Sequence, residues 1–516
     1  MIKVFLMYRD QDFDLQRPLP WNEPTLTQDL ELNTLFEAMA LGDKHVFEVV
    51  RRAVLCGLTD LDAIRYRQDI LKDCLKNPAI VRDIYQTSVD SVENKTRSWF
   101  GFWGHYPSGI LNGAIDMLQM FMGLLKKLRN IADEHAFRFE SQGFRAFFEM
   151  LKRELNDEYL AEIQDHLTML KFKDGVLLRA TLGKGNEGAN YMLCKPEGKN
   201  QTWMQRFFGK KSKTYTFSVH PRDEHGFRTL ATLRDRGINL VANALAQSCD
   251  HIDSFFEMLR TELAFYIGCL NLYEQLAGMG EPVCFPVPFG LESRGHSFKG
   301  LYDVCLALTM KKRVVGNDLE GDGKDLVIIT GANQGGKSVF MRSIGISQLM
   351  MQCGMFVPAE SFHANVCQGL FTHYKREEDA LMKSGKFDEE LSRMNDIITH
   401  ITTHSMVLFN ESFAATNERE GSEIARQIVA ALLEKRMKVF FVTHQYTFAY
   451  GFYSKKMSNA LFLRAEREPN GVRTFKLVPG EPLETSYGED LYNSIFGDAS
   501  GMQLLLYQKP VAARAG

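Results

Sequence analysis

Eight consecutive residues, Gly331-Ala332-Asn333-Gln334-Gly335-Gly336-Lys337-Ser338, concentrate more chemistry than any other stretch of the chain. They match G-x-x-x-x-G-K-[ST], a spacing in which a glycine-rich turn lets backbone N–H groups wrap phosphate oxygens. In that arrangement Lys337 contacts the β- and γ-phosphates of a nucleoside triphosphate, and the Ser338 hydroxyl ligates Mg2+. An apolar run at 326–330 precedes the turn. A helical stretch at 339–353 follows it and would aim the positive end of its dipole at an anion.

Two further apolar runs end in candidate reactive groups. Residues 406–410 run into Asn410-Glu411, where the Glu411 carboxylate could polarise an attacking water. Residues 439–443 run into Thr443-His444, placing an imidazole where it could sense a γ-phosphate. The bland alternative is a strand end carrying a solvated Glu. None of the three runs alternates with polar residues, which is the pattern of parallel strands buried on both faces. Ligands of such open α/β sheets bind at the carboxyl ends of the strands. ATP and Mg2+ are the cofactors this pattern implies.

The elements that must position these groups divide the chain. Residues 1–170 read as a helical core, with apolar stripes of period near 3.6 in 28–55 and 110–170. The start, residues 1–15, reads as a strand. Residues 171–228 read as a small β insertion, with β-like runs at 175–183 and 213–221. Residues 229–280 read as a long lever helix, with Leu245, Ile252, Leu259, Tyr266 and Tyr273 seven apart, or else as two shorter helices. Residues 281–516 read as an α/β domain. The fold class is therefore multidomain α plus α/β, the last domain built on a mainly parallel sheet.

A length of 516 residues implies roughly two to four domains. The net charge of -3 requires any basic surface to be local. The nine cysteines are scattered without a C-x-x-C pair, as for reduced thiols. No continuous apolar run reaches the ~18 residues that span a bilayer. The expectation is a cytoplasmic protein without membrane contact. His400 and His404 are four apart but lack obvious ligand partners.

Taken together, the glycine-rich loop, Asn410-Glu411, Thr443-His444, 354–359, Phe371-Thr372, Ser486-Tyr487-Gly488 and Phe496-Gly497 resemble the ATPase domain of MutS proteins, within the ABC class. Ile64-Arg65-Tyr66-Arg67-Gln68 resembles a segment of the MutS core helices. The resemblance implies an ATPase and a composite site, in which a signature segment of one subunit caps ATP held by the other. Here that segment begins at Ser384-Gly385, and local helix capping is the alternative. The resemblance also implies a homodimer, with the loop 413–417 at its interface. The mismatch-reading N-terminal domain is expected to be absent, and Phe147-Phe148-Glu149 and Phe255-Phe256-Glu257 are expected to be core residues.

One departure bears on turnover: Asn410 stands where the family carries an aspartate beside Mg2+. A neutral ligand in place of a charge ~4 Å from a divalent ion weakens metal affinity by several kcal/mol before compensation. Asp388 or Glu389 are candidates to compensate. In the β insertion, Lys195, Lys199, Arg206, Lys210, Lys211 and Lys213 alternate with Trp203, Phe207 and Phe208, a composition suited to DNA. A solvated basic loop is the plain alternative. The reading is an ATP-gated dimeric DNA clamp. Its rival is an ATP-gated protein-interaction switch with slow or no hydrolysis.

Overall fold

The structure, a computed structural model, describes residues 3–102, 106–173, 175–195, 215–376, 385–468 and 472–484, with the side chains of 96–102 and 186 excepted. Four helices open the chain: α1 (Glu23–Asp29), α2 (Leu32–Ala40), α3 (Lys44–Leu55) and α4 (Leu61–Lys76). Then come α5 (Pro78–Phe102), α6 (Pro107–His135), α7 (Gln142–Glu154) and α8 (Asp157–Met169). A hairpin of β1 (Leu178–Leu182) and β2 (Gly188–Leu193) leads to α9 (Glu224–Gly278). That helix is continuous over 55 residues. The remainder alternates: β3 (Val287–Phe289), β4 (His296–Leu301), α10 (Val304–Met310), β5 (Asn317–Glu320), β6 (Leu326–Gly331) and α11 (Lys337–Gln352). Next are β7 (Ser361–Asn365), β8 (Leu370–Tyr374), α12 (Lys386–His400), β9 (Met406–Asn410) and α13 (Glu418–Glu434). Last are β10 (Lys438–Val442), α14 (Tyr446–Tyr453), β11 (Ala460–Arg467) and β12 (Arg473–Pro479).

Packing divides the chain into two compact units, Met1–Phe13 with Asp73–Leu263, and Asp14–Lys72 with Ala264–Gly516. These do not coincide with the linear boundaries at 170 and 280, because α1–α3 pack into the α/β unit. Gly345 of α11 shows why: a Cβ there would meet Leu30 and Leu408, each at 2.8 Å.

In the first unit, α6 buries Leu111, Ile115, Leu118, Phe121, Leu125 and Leu128 along one stripe. By hydropathy over a window, α6 is long and apolar enough to cross a bilayer, although no apolar run in it is continuous. Phe139, Phe144, Phe147 and Phe148 form a buried aromatic cluster, and Phe255 and Phe256 are buried too. The phenylalanines of both Phe-Phe-Glu segments are thus core, and Glu149 and Glu257 are exposed. Glu262 is fully buried, and its carboxylate accepts the backbone N–H groups of Leu6, Met7 and Phe13. This pinning replaces the strand expected at the start: residues 3–13 contain none. Three of their N–H groups go to one side chain.

One more expectation is corrected, and the helical reading of 28–55 is refined. The run 213–221 forms no strand in its described part, residues 215–221, and Tyr215 and Phe217 are exposed. The hairpin partner of β1 is β2, from the Gly-rich connection between the two runs. The stripe at 28–55 is broken into three helices, because Glu31 and Leu41 adopt left-handed φ of 52° and 46°. Each break redirects the apolar face, which spacing alone does not reveal.

The second unit holds two sheets among the described residues, ordered β12-β11-β6-β10-β9-β8 and β3-β7-β4-β5. In the larger sheet every pairing is parallel except β11 with β12. Strands β6 and β10 are buried at every residue. One face, with Leu326, Ile328, Val407, Phe409, Val439 and Phe441, packs on α12, α13 and α14. The fold is mixed helical and α/β with a mainly parallel sheet.

Candidate functional site

Strand register builds the site. Val442 of β10 pairs with Ile329 of β6 and with Asn410 of β9. Strands β9 and β10 therefore end level beside Ile329, β6 runs on to Gly331, and the segments that follow emerge side by side. The Thr443 N–H donates to Ile329 O at 3.0 Å, and the Glu411 N–H to Val442 O at 2.9 Å. These bonds fix the first residue past each strand.

The glycine-rich loop joins β6 to α11. Gly336 caps α11 with φ 87°, a conformation costly for a residue with a Cβ. At Gly335 the constraint is space: a Cβ would lie 2.6 Å from the Ala465 Cβ and 2.9 Å from Ala332 O. Lys337 is buried, and its ammonium donates to Gly331 O (3.0 Å) and Ala332 O (2.9 Å). Burial draws its pKa down to about 8, against the pull of Glu411 and with help from Arg473. Exposed Ser338 donates from Oγ to Asn410 Oδ1 at 3.1 Å. Two neutral oxygen groups 72 residues apart in sequence thus meet.

Glu411 follows directly, with φ 54°. Its Oε1 lies 2.9 Å from His444 Nε2. The hydrogen bond from His444 holds the Glu411 carboxyl below its usual range despite partial burial, helped by the charge of Lys337. Gln334, Glu411, Phe413 and Phe475 all have left-handed φ, between 54° and 60°. Such backbone costs about 1–3 kcal/mol per non-glycine residue and gathers at functional sites. Next to Glu411, the Ser412 hydroxyl sits 2.7 Å from His373 Nδ1, and His373 Nε2–H donates to Glu390 O of α12 at 2.9 Å. Burial lowers the His373 pKa to about 4, so the ring is a neutral spacer.

Lys337, Ser338, Glu411 and His444 border one cleft of about 570 Å³, and Asn410 joins them through its hydrogen bond with Ser338. Asn333, Gln334, Gly335, Gly336, Lys337 and Ser338 form one wall, and Glu411 and His444 close one side. Leu306, Met310, Val314, Val315 and Phe475 make an apolar flank, with Tyr302, Asp303 and Arg313 beside it. Such a cleft can hold a phosphorylated ligand with an apolar ring: amides, an ammonium and a hydroxyl at one end, aliphatic surface at the other.

A chain match decides the family. The family model described as MutS2 N-terminal domain matches residues 59–279, and the one described as MutS domain V matches residues 327–495. The chain belongs to the MutS family. The DNA mismatch repair protein MutS of Streptococcus pneumoniae (strain Hungary19A-6) is 27% identical over 260 residues, 49% of this chain and 30% of that protein. The DNA mismatch repair protein MutS of Thermus aquaticus is 33% identical over 178 residues, 34% of this chain and 22% of that protein. The chain thus spans less than a third of the length of these curated relatives.

The MutS domain V match takes in most of the glycine-rich cleft, and the MutS2 match takes in 64–68. There Arg67 is fully buried against the ring of Phe265, with its guanidinium donating to Cys353 O at 3.3 Å. Gly354, at φ 84°, leaves room for it: a Cβ would lie 2.6 Å from the Arg67 Cβ. Gln68 Nε2 donates to Pro286 O at 3.0 Å. Two segments 290 residues apart in the chain therefore interlock.

Other sequence candidates fare differently. Ser384 lies outside the described residues, and Gly385 caps α12 at an exposed position. Lys195 is exposed just past β2, whereas Lys199, Arg206, Lys210, Lys211 and Lys213 lie outside the described residues, as do 486–488 and 496–497. Neither Asp388 nor Glu389 lines the cleft, and Glu389 faces Arg393 at 3.9 Å. His400 stacks on Trp21 at 4.2 Å and His404 pairs with Glu292 at 3.2 Å. No metal-ligating cluster of His, Cys, Asp and Glu occurs among the described residues. The apolar flank at 302–315 and Phe475 escaped the sequence reading, because no motif marks a wall made of ordinary aliphatic side chains.

Proposed function

We propose that the chain is a Mg2+-dependent ATP-binding and hydrolysing protein that acts on DNA as a dimeric, ATP-gated clamp. The observation that carries this is the convergence of Lys337, Ser338 and the Glu411–His444 pair on one cleft, with Asn410 hydrogen-bonded to Ser338. The loop amides and Lys337 would hold the phosphates, and the apolar flank would receive the base. Ser338 and Asn410 offer the hard oxygen ligands that suit Mg2+, which prefers few protein ligands and several waters. Bound there, the ion would neutralise charge on the phosphate oxygens. Glu411, ionised and oriented by His444, would accept a proton from water. Ser384-Gly385 of a second copy would cap the γ-phosphate. The DNA assignment draws on the mismatch-repair names of the relatives and on exposed Lys195 with the basic segment after it.

The test is steady-state ATP turnover with and without duplex, branched and single-stranded DNA, together with DNA binding across a salt series. DNA binding should respond to ATP and weaken steeply with salt, as phosphate contacts require. Failure to bind any DNA at low salt would sink the clamp, and failure to bind nucleotide would sink the whole reading.

The Ser338–Asn410 pair favours a second reading, a protein-interaction switch that binds ATP tightly and turns over slowly, because neither group carries charge. Asn410→Asp is the discriminating variant. It should lower the Mg2+ concentration for half-maximal turnover by about tenfold, the direction Coulomb attraction to a divalent ion dictates. An unchanged or weaker Mg2+ requirement would remove Asn410 from the metal side of the site.

A further inference from the structure

The apolar flank of the cleft rests on a segment with no regular structure. Residues 311–316, between α10 and β5, form neither helix nor strand. Side-chain hydrogen bonds hold it, one of them from Lys476 Nζ to Gly316 O. At its far end Asn317 donates from Nδ2 to Phe475 O (3.2 Å) and accepts from Leu477 N–H (2.8 Å). In its middle, the Val314 N–H donates to Glu281 Oε1 at 2.7 Å.

Glu281 is itself anchored. It follows the end of α9, and its N–H donates to Leu276 O at 3.1 Å. Gly280, at φ 72°, makes the turn that allows this, and its own N–H donates to Ala277 O at 3.0 Å. The Glu281 side chain is almost wholly buried. It borders a polar pocket of about 210 Å³ that shares Tyr302, Arg313 and Val314 with the cleft. Between the two cavities stands the Val314 backbone. The Tyr302 hydroxyl nearby is buried and has no hydrogen-bond partner among the described residues. A buried carboxylate holding a single backbone N–H is an expensive way to fix a loop unless the position of that loop matters.

We infer that Glu281 is a positioning residue for ligand binding: it ties the cleft wall at Val314-Val315 to the end of α9. The inference rests on the nucleotide reading of the cleft. Without Glu281, the wall keeps its ties at the far end, at Gly316 and Asn317, but its Val314-Val315 part moves off the ligand's apolar ring, while Lys337, Ser338 and Glu411 keep their places.

The experiment compares wild type, Glu281→Gln and Glu281→Ala in the full chain. It measures the Kd for ATP and for inorganic triphosphate, kcat, and amide exchange at Val314. Glu281→Gln keeps an acceptor oxygen and should stay within about twofold of wild type. Glu281→Ala should raise the Kd for ATP about tenfold, leave triphosphate affinity unchanged and speed exchange at Val314. At saturating ATP its kcat should stay within about twofold. Equal ATP affinity in Glu281→Ala and wild type overturns the inference alone. Parallel loss of ATP and triphosphate binding also overturns it, since that marks general damage. A wild-type chain that binds no nucleotide overturns the reading beneath it as well.

Discussion

Lys337→Ala is expected to weaken ATP binding between about tenfold and a hundredfold, and to bring turnover to background. A hydrogen bond to a charged partner contributes about 1.5–3 kcal/mol, and the neighbouring Arg473 is engaged with Asn333 O at 3.3 Å. Titration of wild type and variant with a fluorescent ATP analogue measures the loss. The pH dependence adds a second signature. Burial holds the Lys337 pKa at about 8 in the structure described. Phosphate oxygens beside the ammonium would raise it, so binding takes up a proton once the pH exceeds the lower value. Affinity should be flat below pH ~7.5 and fall by up to about tenfold per pH unit above ~8, until the pKa of the complex is reached. The alanine variant should lack that slope. Equal affinity of the two proteins at neutral pH would take Lys337 out of the site.

Glu411→Gln is expected to separate binding from turnover. The glutamine has the same shape and keeps a hydrogen-bonding partner for His444, but it cannot accept a proton from water. General-base catalysis contributes roughly 10²–10⁴-fold, so kcat should fall at least about a hundredfold. ATP affinity should stay within about threefold, less than 1 kcal/mol. Because the hydrogen bond from His444 depresses the Glu411 pKa, its base form is complete at neutral pH. Wild-type turnover should therefore not lose activity through Glu411 until the pH falls into the low carboxylate range. Phosphate release under single-turnover conditions is the measurement. A variant that releases phosphate at the wild-type rate would assign the proton transfer elsewhere.

Much of this site was legible before any fold was known. The Gly331–Ser338 spacing, the run ending in Asn410-Glu411 and the run ending in Thr443-His444 each carry a local signal. Each combines a buried strand with a polar tip, and both halves are written in adjacent residues. The long helix was also legible as a helix, since seven-residue spacing persists from Leu245 to Tyr273. The β insertion was legible only in part. Its first strand lay where alternation placed it, but its second is the segment from Gly188 to Leu193, and Tyr215 and Phe217 alternate without a sheet to join.

By itself, the sequence determined which residues could handle phosphate, an ion and a proton, because those capacities belong to side-chain chemistry and short-range spacing. Only the tertiary structure decided which of them meet. Ser338 reaches Asn410 because the register of β9, β10 and β6 sets the ends of β9 and β10 beside the end of β6. Arg67 sits on Gly354, and Glu281 holds Val314, through contacts between segments far apart in the chain. Such contacts depend on how buried faces pack, and packing is a property of the whole unit that no short window of residues contains.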